Sequence, residues 1–82
     1  MNKDEMIKIT ENITKDFDSL YGGVKLATLL KDDFEFDNDT YTLLFASKAL
    51  DDLPPLEATR EVVRFFRERN ENILRKISSI IL

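Results

Sequence analysis

The first quarter of the chain carries the pattern of an amphipathic helix. Its apolar residues recur at spacings of three and four with charged residues between them, which is the period of a helix with one buried face. These residues are Met6, Ile9, Ile13, Phe17 and Leu20. The pattern predicts a helix over about 3–20. Gly22-Gly23 should end it, because glycine readily adopts the left-handed conformation that closes helices.

The middle of the chain is predicted to form two shorter helices. Residues 24–31 place Leu26, Leu29 and Leu30 on one face of a short helix. Residues 40–52 carry apolar side chains around most of a helical circumference, which is typical of a central, well-buried helix.

The C-terminal third is predicted to be the longest helix, over about 55–81. Pro54-Pro55 interrupts the chain, and proline at the second of these positions suits the first turn of a helix. An apolar 4–3 repeat follows, in which a single asparagine occupies a position that fixes register in coiled coils. One interpretation is a homodimer through a helical seam formed by Val63, Phe66, Asn70, Ile73 and Ile77. The wider apolar stripe favours the other interpretation, a bundle helix.

The expected fold class is therefore all-α. A chain of 82 residues is short for more than one domain. The sequence predicts a single domain, a small bundle of three to four helices at about 3–20, 24–31, 40–52 and 55–81.

Composition argues against most enzyme classes. The sequence contains neither cysteine nor histidine, which removes disulfides, thiolate metal sites and the usual nucleophile–base pairs. Acids alternate between Asp33 and Asp39, but the glycine and glutamate that a calcium loop needs at its sixth and twelfth positions are missing. Gly22-Gly23 lacks the flanking residues of a phosphate-binding loop. We expect no enzymatic activity, no cofactor and no bound metal.

Charge is unevenly distributed along the chain. The net charge is −4, residues 32–52 hold seven acids against Lys48, and every arginine lies between Arg60 and Arg75. Acids mixed with aromatic rings favour contact with a basic partner surface. The predicted partner-binding residues are Asp33, Phe34, Glu35, Phe36 and Asp37, with a second surface at Arg64, Phe65 and Arg67. The alternatives are solvated charged faces, or acids that dock internally on the arginines.

The expected function is that of a small regulator that binds and modulates or neutralises another protein. No apolar stretch follows the N-terminus, and the longest apolar run is four residues, Leu43–Ala46, so we expect a cytoplasmic protein without a membrane span. Small size and acidity are typical of bacterial or phage inhibitors, immunity proteins, antitoxins and antiholins. The partner would present a basic surface or a cytoplasmic segment of a membrane protein. Self-association through the last helix is the alternative, and nucleic-acid binding is disfavoured by a pI near 4.7.

Reversing the charges of Asp33 and Asp37 should weaken binding to such a partner without unfolding the protein. The measurement is partner affinity beside a thermal unfolding curve. Unchanged affinity in the double variant would remove the acidic segment from the interface.

Overall fold

The structure, a computed structural model, describes residues 2–32 and 40–82. It is an α+β fold in which helices pack on a three-stranded mixed sheet, so the all-α prediction is wrong. The elements are α1 (Lys3–Tyr21), β1 (Val24–Lys31), β2 (Tyr41–Ser47), a short 3-10 turn (Lys48–Leu50), α2 (Pro55–Arg69), α3 (Glu71–Leu74) and β3 (Ile77–Ile81).

Helix α1 agrees with the helix predicted from the apolar pattern. The side chain of Asn2 caps it by accepting a 2.8 Å hydrogen bond from the backbone N–H of Glu5. Gly22 ends it with a φ of 74°, a region that L side chains rarely adopt. The N–H of Gly22 donates to the carbonyl of Asp18 at 2.8 Å, which satisfies one of the last helical carbonyls.

Residues 24–31 form strand β1 rather than the predicted helix. β1 pairs antiparallel with β2, and the register places Ala27 opposite Phe45 and Leu29 opposite Leu43. Leucine, alanine and lysine are good helix formers, so local propensity misled the prediction. Pairing with a neighbouring strand overrides that propensity, because a sheet position rewards burial against its cross-strand partner.

Residues 40–52, predicted as a central helix, form strand β2 and the 3-10 turn that follows it. Alternate β2 side chains are buried, and they are Tyr41, Leu43, Phe45 and Ser47. The side chains between them are half-buried on the other face. A strand with apolar residues on both faces shows no two-residue alternation, which is why this segment resembled a helix buried on all sides.

The predicted helix over 55–81 is divided into three elements. α2 begins at Pro55 as predicted and ends at Arg69, because Asn70 takes an extended conformation with φ −156° and ψ 91°. The single turn of α3 then redirects the chain into β3, which pairs parallel to β2. The isoleucines of β3 are β-branched and favour a strand once the helix has been broken.

Both long helices cover the same face of the sheet. Phe45 of β2 makes edge-to-face contacts with Phe17 of α1 and Phe66 of α2, at centroid distances of 5.1 and 6.4 Å. Phe45 and Phe66 are among the fully buried side chains, together with Met6 and Leu43. The core therefore lies between the helices and one face of the sheet, and the three aromatic rings join the two layers.

Asp32 links all three strands at one end of the sheet. Its carboxylate accepts hydrogen bonds from the hydroxyl of Ser78 in β3, from Thr40 at 2.7 Å and from Thr42 in β2 at 2.8 Å. These donors favour the charged form of the carboxyl and lower the pKa of Asp32 below its ordinary value of 3.8, with Ser78 contributing most. The sequence placed Asp32 in an acidic stretch, but its hydrogen bonds are internal.

The contribution of Asp32 to stability should depend on pH. Because the folded state lowers this pKa, the stabilisation is present above the ordinary value of 3.8 and is lost as the pH falls below it. Asp32→Asn should therefore be less stable than the wild type at pH 7 and should lose less stability on acidification. Urea unfolding at pH 7 and at lower pH measures both. Thr42→Val, which removes one donor, should lie between them, and an Asp32→Asn protein as acid-sensitive as the wild type would contradict the assignment.

Candidate functional site

The sheet face opposite the helices carries exposed apolar side chains. Leu26 and Leu30 of β1 are 48% and 51% exposed, and Ile81 of β3 is 56% exposed. Leu44 and Ala46 of the central strand are half-buried between them. No other helix or strand of residues 2–32 and 40–82 lies over this surface, which we call the outer sheet face.

Strand register explains why these residues share one face. Leu26 is the cross-strand partner of Ala46, and Leu30 is the partner of Thr42. Leu44 pairs with Thr28 on one side and with Ile81 on the other. Partners in a ladder project to the same side of a sheet, so the face consists of Leu26, Thr28, Leu30, Thr42, Leu44, Ala46, Ser79 and Ile81. None of these side chains is charged.

The outer sheet face has the size of a functional surface patch. Three strands about 4.8 Å apart and some 24 Å long make a face of about 340 Å². The largest apolar patch on a typical monomeric protein is about 300–600 Å², and such patches often bind other molecules. The geometry is suited to contact with an apolar protein surface.

Sequence reasoning did not identify this face. Its leucines were assigned to the inner faces of two predicted helices, so they were expected in the core. The signal that would have found them is the isoleucine-rich segment Ile77–Ile81, which follows the charged part of the last predicted helix. A strand at this place needs partner strands to pair with. The apolar segments 24–31 and 41–47 are the candidates for those partners.

The acidic partner-binding residues predicted from the sequence lie outside the described part of the chain. They are Asp33, Phe34, Glu35, Phe36 and Asp37, and the contact predicted for them stays a prediction.

Only part of the second predicted partner-binding surface, which consists of Arg64, Phe65 and Arg67, is exposed to solvent. Arg64 and Arg67 are exposed, and Arg64 donates to both carboxylate oxygens of Glu61 at 2.6 and 2.7 Å. Phe65 is 6% exposed, and its ring contacts Phe17 at 5.0 Å. The guanidinium of Arg69 covers it at 3.4 Å from the ring centroid. Phe65 therefore belongs to the core and to the contact between α1 and α2, not to an exposed aromatic patch.

The five residues of the predicted seam do not lie on one helix. Val63 and Phe66 belong to α2, Asn70 ends that helix, Ile73 lies in α3 and Ile77 begins β3. Phe66 and Ile73 are fully buried in the core of the same chain. A coiled-coil seam needs a continuous helix, so the geometry required for this dimer is absent from the described residues.

A groove of about 320 Å³ lies between α1 and β1. Thr10 of α1 lines it and is 4% exposed, and the hydroxyl oxygen of Thr10 has no hydrogen-bond partner among residues 2–32 and 40–82. The neighbouring Thr14 hydroxyl differs, because it donates to the carbonyl of Thr10 at 2.7 Å. Most buried hydroxyl groups in proteins are hydrogen-bonded, so the unpaired Thr10 hydroxyl needs a functional or structural explanation.

A second cavity of about 370 Å³ is open between the end of α1 and the start of α2. Phe17 and Tyr21 line one side, and Leu50 and Leu53 line another. The charged residues that line it are Glu57, Arg60 and Glu61, which are two acids with a base between them.

Two further features concern the described residues. Within 2–32 and 40–82, no group of three or more acidic side chains is arranged to hold a metal ion. None of the helices formed by these residues has the length and hydropathy needed to cross a membrane.

Comparison of the chain with protein-family models, with curated proteins and with solved structures finds no match.

Replacing Thr10 with valine should stabilise the protein. Valine has nearly the same shape and removes a buried hydroxyl that lacks a partner, so the free energy of unfolding should rise by about 1 kcal/mol. Thr14→Val is the matched control, because it removes a hydroxyl that is already hydrogen-bonded and should give no gain. Urea unfolding of the three proteins measures the difference. A Thr10→Val protein less stable than the wild type would show that the hydroxyl has a partner.

Proposed function

We propose that the protein is a small non-enzymatic regulator, expected in the cytoplasm from its sequence, that binds a partner protein through the outer sheet face. The observation that supports this most directly is the exposure of Leu26, Leu30 and Ile81 on a mainly apolar face, which has the carboxylate of Asp32 at one end. Burying such a face against another protein removes apolar surface from water at a gain of about 25 cal/mol per Å² before the costs of association.

The area of the face favours a different protein over a second copy. Two faces of about 340 Å² stacked on each other would bury roughly 700 Å², whereas specific, stable interfaces bury about 1,200–2,000 Å². A partner that also contacts the sheet edges or the helices around the face can reach that area. The partner should therefore present an apolar, uncharged centre and should extend beyond the sheet.

The predicted contact between the acidic segment and a basic partner surface is compatible with this proposal but is not required by it. That segment lies outside the described residues. The apolar face supplies the buried centre of the interface, and charges around an interface act chiefly on encounter rate and specificity.

Leu30→Glu tests the proposal directly. A carboxylate on the face would have to lose its water on binding, so affinity for the partner should fall at least tenfold. The partner is first captured with the wild-type protein from a lysate of the source organism, then purified and titrated by calorimetry. Leu20→Glu is the matched control, because Leu20 is 63% exposed on α1, in the layer on the opposite side of the sheet. It should bind like the wild type.

Equal loss of affinity in both variants, or in neither, would overturn the assignment to the outer sheet face. Sedimentation equilibrium of the same three proteins tests the alternative of self-association. A wild-type dimer that becomes a monomer only in Leu30→Glu would mean that the face binds a second copy instead of a different protein.

A further inference from the structure

The outer long side of β1 is an open sheet edge. β1 is the first strand in the order β1-β2-β3, so its hydrogen bonds to β2 use only one side of the strand. The groove between α1 and β1 runs along the other side. It is lined from the strand by Ala27, Thr28 and Leu29, and from the helix by Ile7, Thr10, Glu11, Thr14 and Lys15.

The hydrogen-bond pattern shows which backbone groups face this groove. The N–H of Asp32 donates to the carbonyl of Thr40 at 3.0 Å, and in an antiparallel ladder only alternate pairs exchange such bonds. Two and four residues before Asp32, the backbone groups of Leu30 and Thr28 therefore bond to β2. The N–H and C=O groups of Ala27 and Leu29 point to the open side of β1. No side chain or loop of the described residues hydrogen-bonds to these groups.

The buried hydroxyl of Thr10 is a second group without a partner in the same groove. Polar groups that are buried without a hydrogen bond cost free energy, which a ligand that pairs with them would recover. The backbone of an extended peptide offers donors and acceptors at the spacing of a strand edge.

We infer that the groove between α1 and β1 binds an extended peptide segment of another protein, which adds to the edge of β1 as a fourth strand. Strand addition to an open edge is a recurring mode of peptide recognition, with backbone hydrogen bonds giving affinity and pockets for alternate side chains giving specificity. This site lies at the edge of β1 and shares Thr28 with the outer sheet face, but the inference does not depend on the function proposed above.

Charge indicates the chemistry of the peptide and argues against a second copy of this chain. Glu11 and Lys15 lie one turn apart on α1 and carry opposite charges on the same wall of the groove. Neither sign of charge is therefore favoured in the peptide, and the middle of the segment should be uncharged. In an antiparallel pair of β1 strands centred on Thr28, Lys25 of each copy would face Lys31 of the other, and like charges in opposite positions destabilise a sheet. The segment is expected to carry small apolar and hydroxyl-bearing side chains.

Hydrogen exchange provides a direct test. A displayed library of random twelve-residue peptides is selected on the wild-type protein, and an enriched peptide is synthesised and added to isotope-labelled protein. Exchange of the Ala27 and Leu29 amides should slow at least tenfold on binding. The amides of Thr28 and Leu30 already bond to β2 and serve as internal controls that should change little.

Two variants separate strand addition from other binding modes. Ala27→Pro removes an N–H at the open edge without removing a bond of the ladder, and it should abolish peptide binding. Thr10→Val should weaken binding about fivefold, the value of roughly one hydrogen bond, although it should not destabilise the fold. Leu56→Glu, at an exposed position of α2, should bind the peptide like the wild type.

Three outcomes would overturn the inference: no peptide is enriched, the enriched peptides protect neither the Ala27 nor the Leu29 amide, or Ala27→Pro and Thr10→Val both bind as tightly as the wild type. A further outcome would also overturn the inference. If a higher protein concentration without peptide slows exchange of these amides, and the mass of the protein in solution doubles, the occupant of the groove is a second copy of this chain.

Discussion

The structure depends on the central strand β2 and on the ring of Phe45 that this strand carries. β2 is the only strand among the described residues with a neighbour on both sides, antiparallel β1 and parallel β3. Phe45 is buried between Phe17 of α1 and Phe66 of α2, so both helices are held to the sheet through one side chain. Replacing Phe45 with alanine would leave a cavity between the two layers, and substitutions of that kind cost about 3–5 kcal/mol.

Sequence reasoning identified α1 and the start of α2, and it failed where tertiary contacts decide the structure. Both successful predictions rest on local signals, the three-and-four spacing that includes Ile13 and the proline at the first position of α2. β1 failed because its leucines and lysines are good helix formers, and only pairing with β2 makes the segment a strand. The apolar residues on both sides of Asn70 happen to keep the heptad spacing, although they belong to different elements. The extended backbone of Asn70 ends the helix between them.

The candidate sites could not be predicted for a related reason. An outer sheet face exists only after three strands have been placed beside one another, and the residues of that face are separated by up to 55 positions, from Leu26 to Ile81. The groove beside β1 depends on which backbone groups the ladder leaves unused, which no sequence pattern records. The sequence lacks cysteine and histidine, which are the most common catalytic side chains, and the expectation of no enzymatic activity stays a prediction.

The carboxylate of Asp32 joins the end of β1 to β2 and to Ser78 of β3, so it connects residues made early in synthesis with residues made late. During translation, α1, β1 and β2 are made before β3, and the side of β2 that later pairs with Ile77–Ile81 stays unpaired until β3 has emerged. Long-range parallel pairing forms slowly because a long loop must close first. The nascent chain therefore passes through a stage in which this side of β2 is open, whereas in the folded protein it is paired with β3, and chaperone dependence should be decided at that stage.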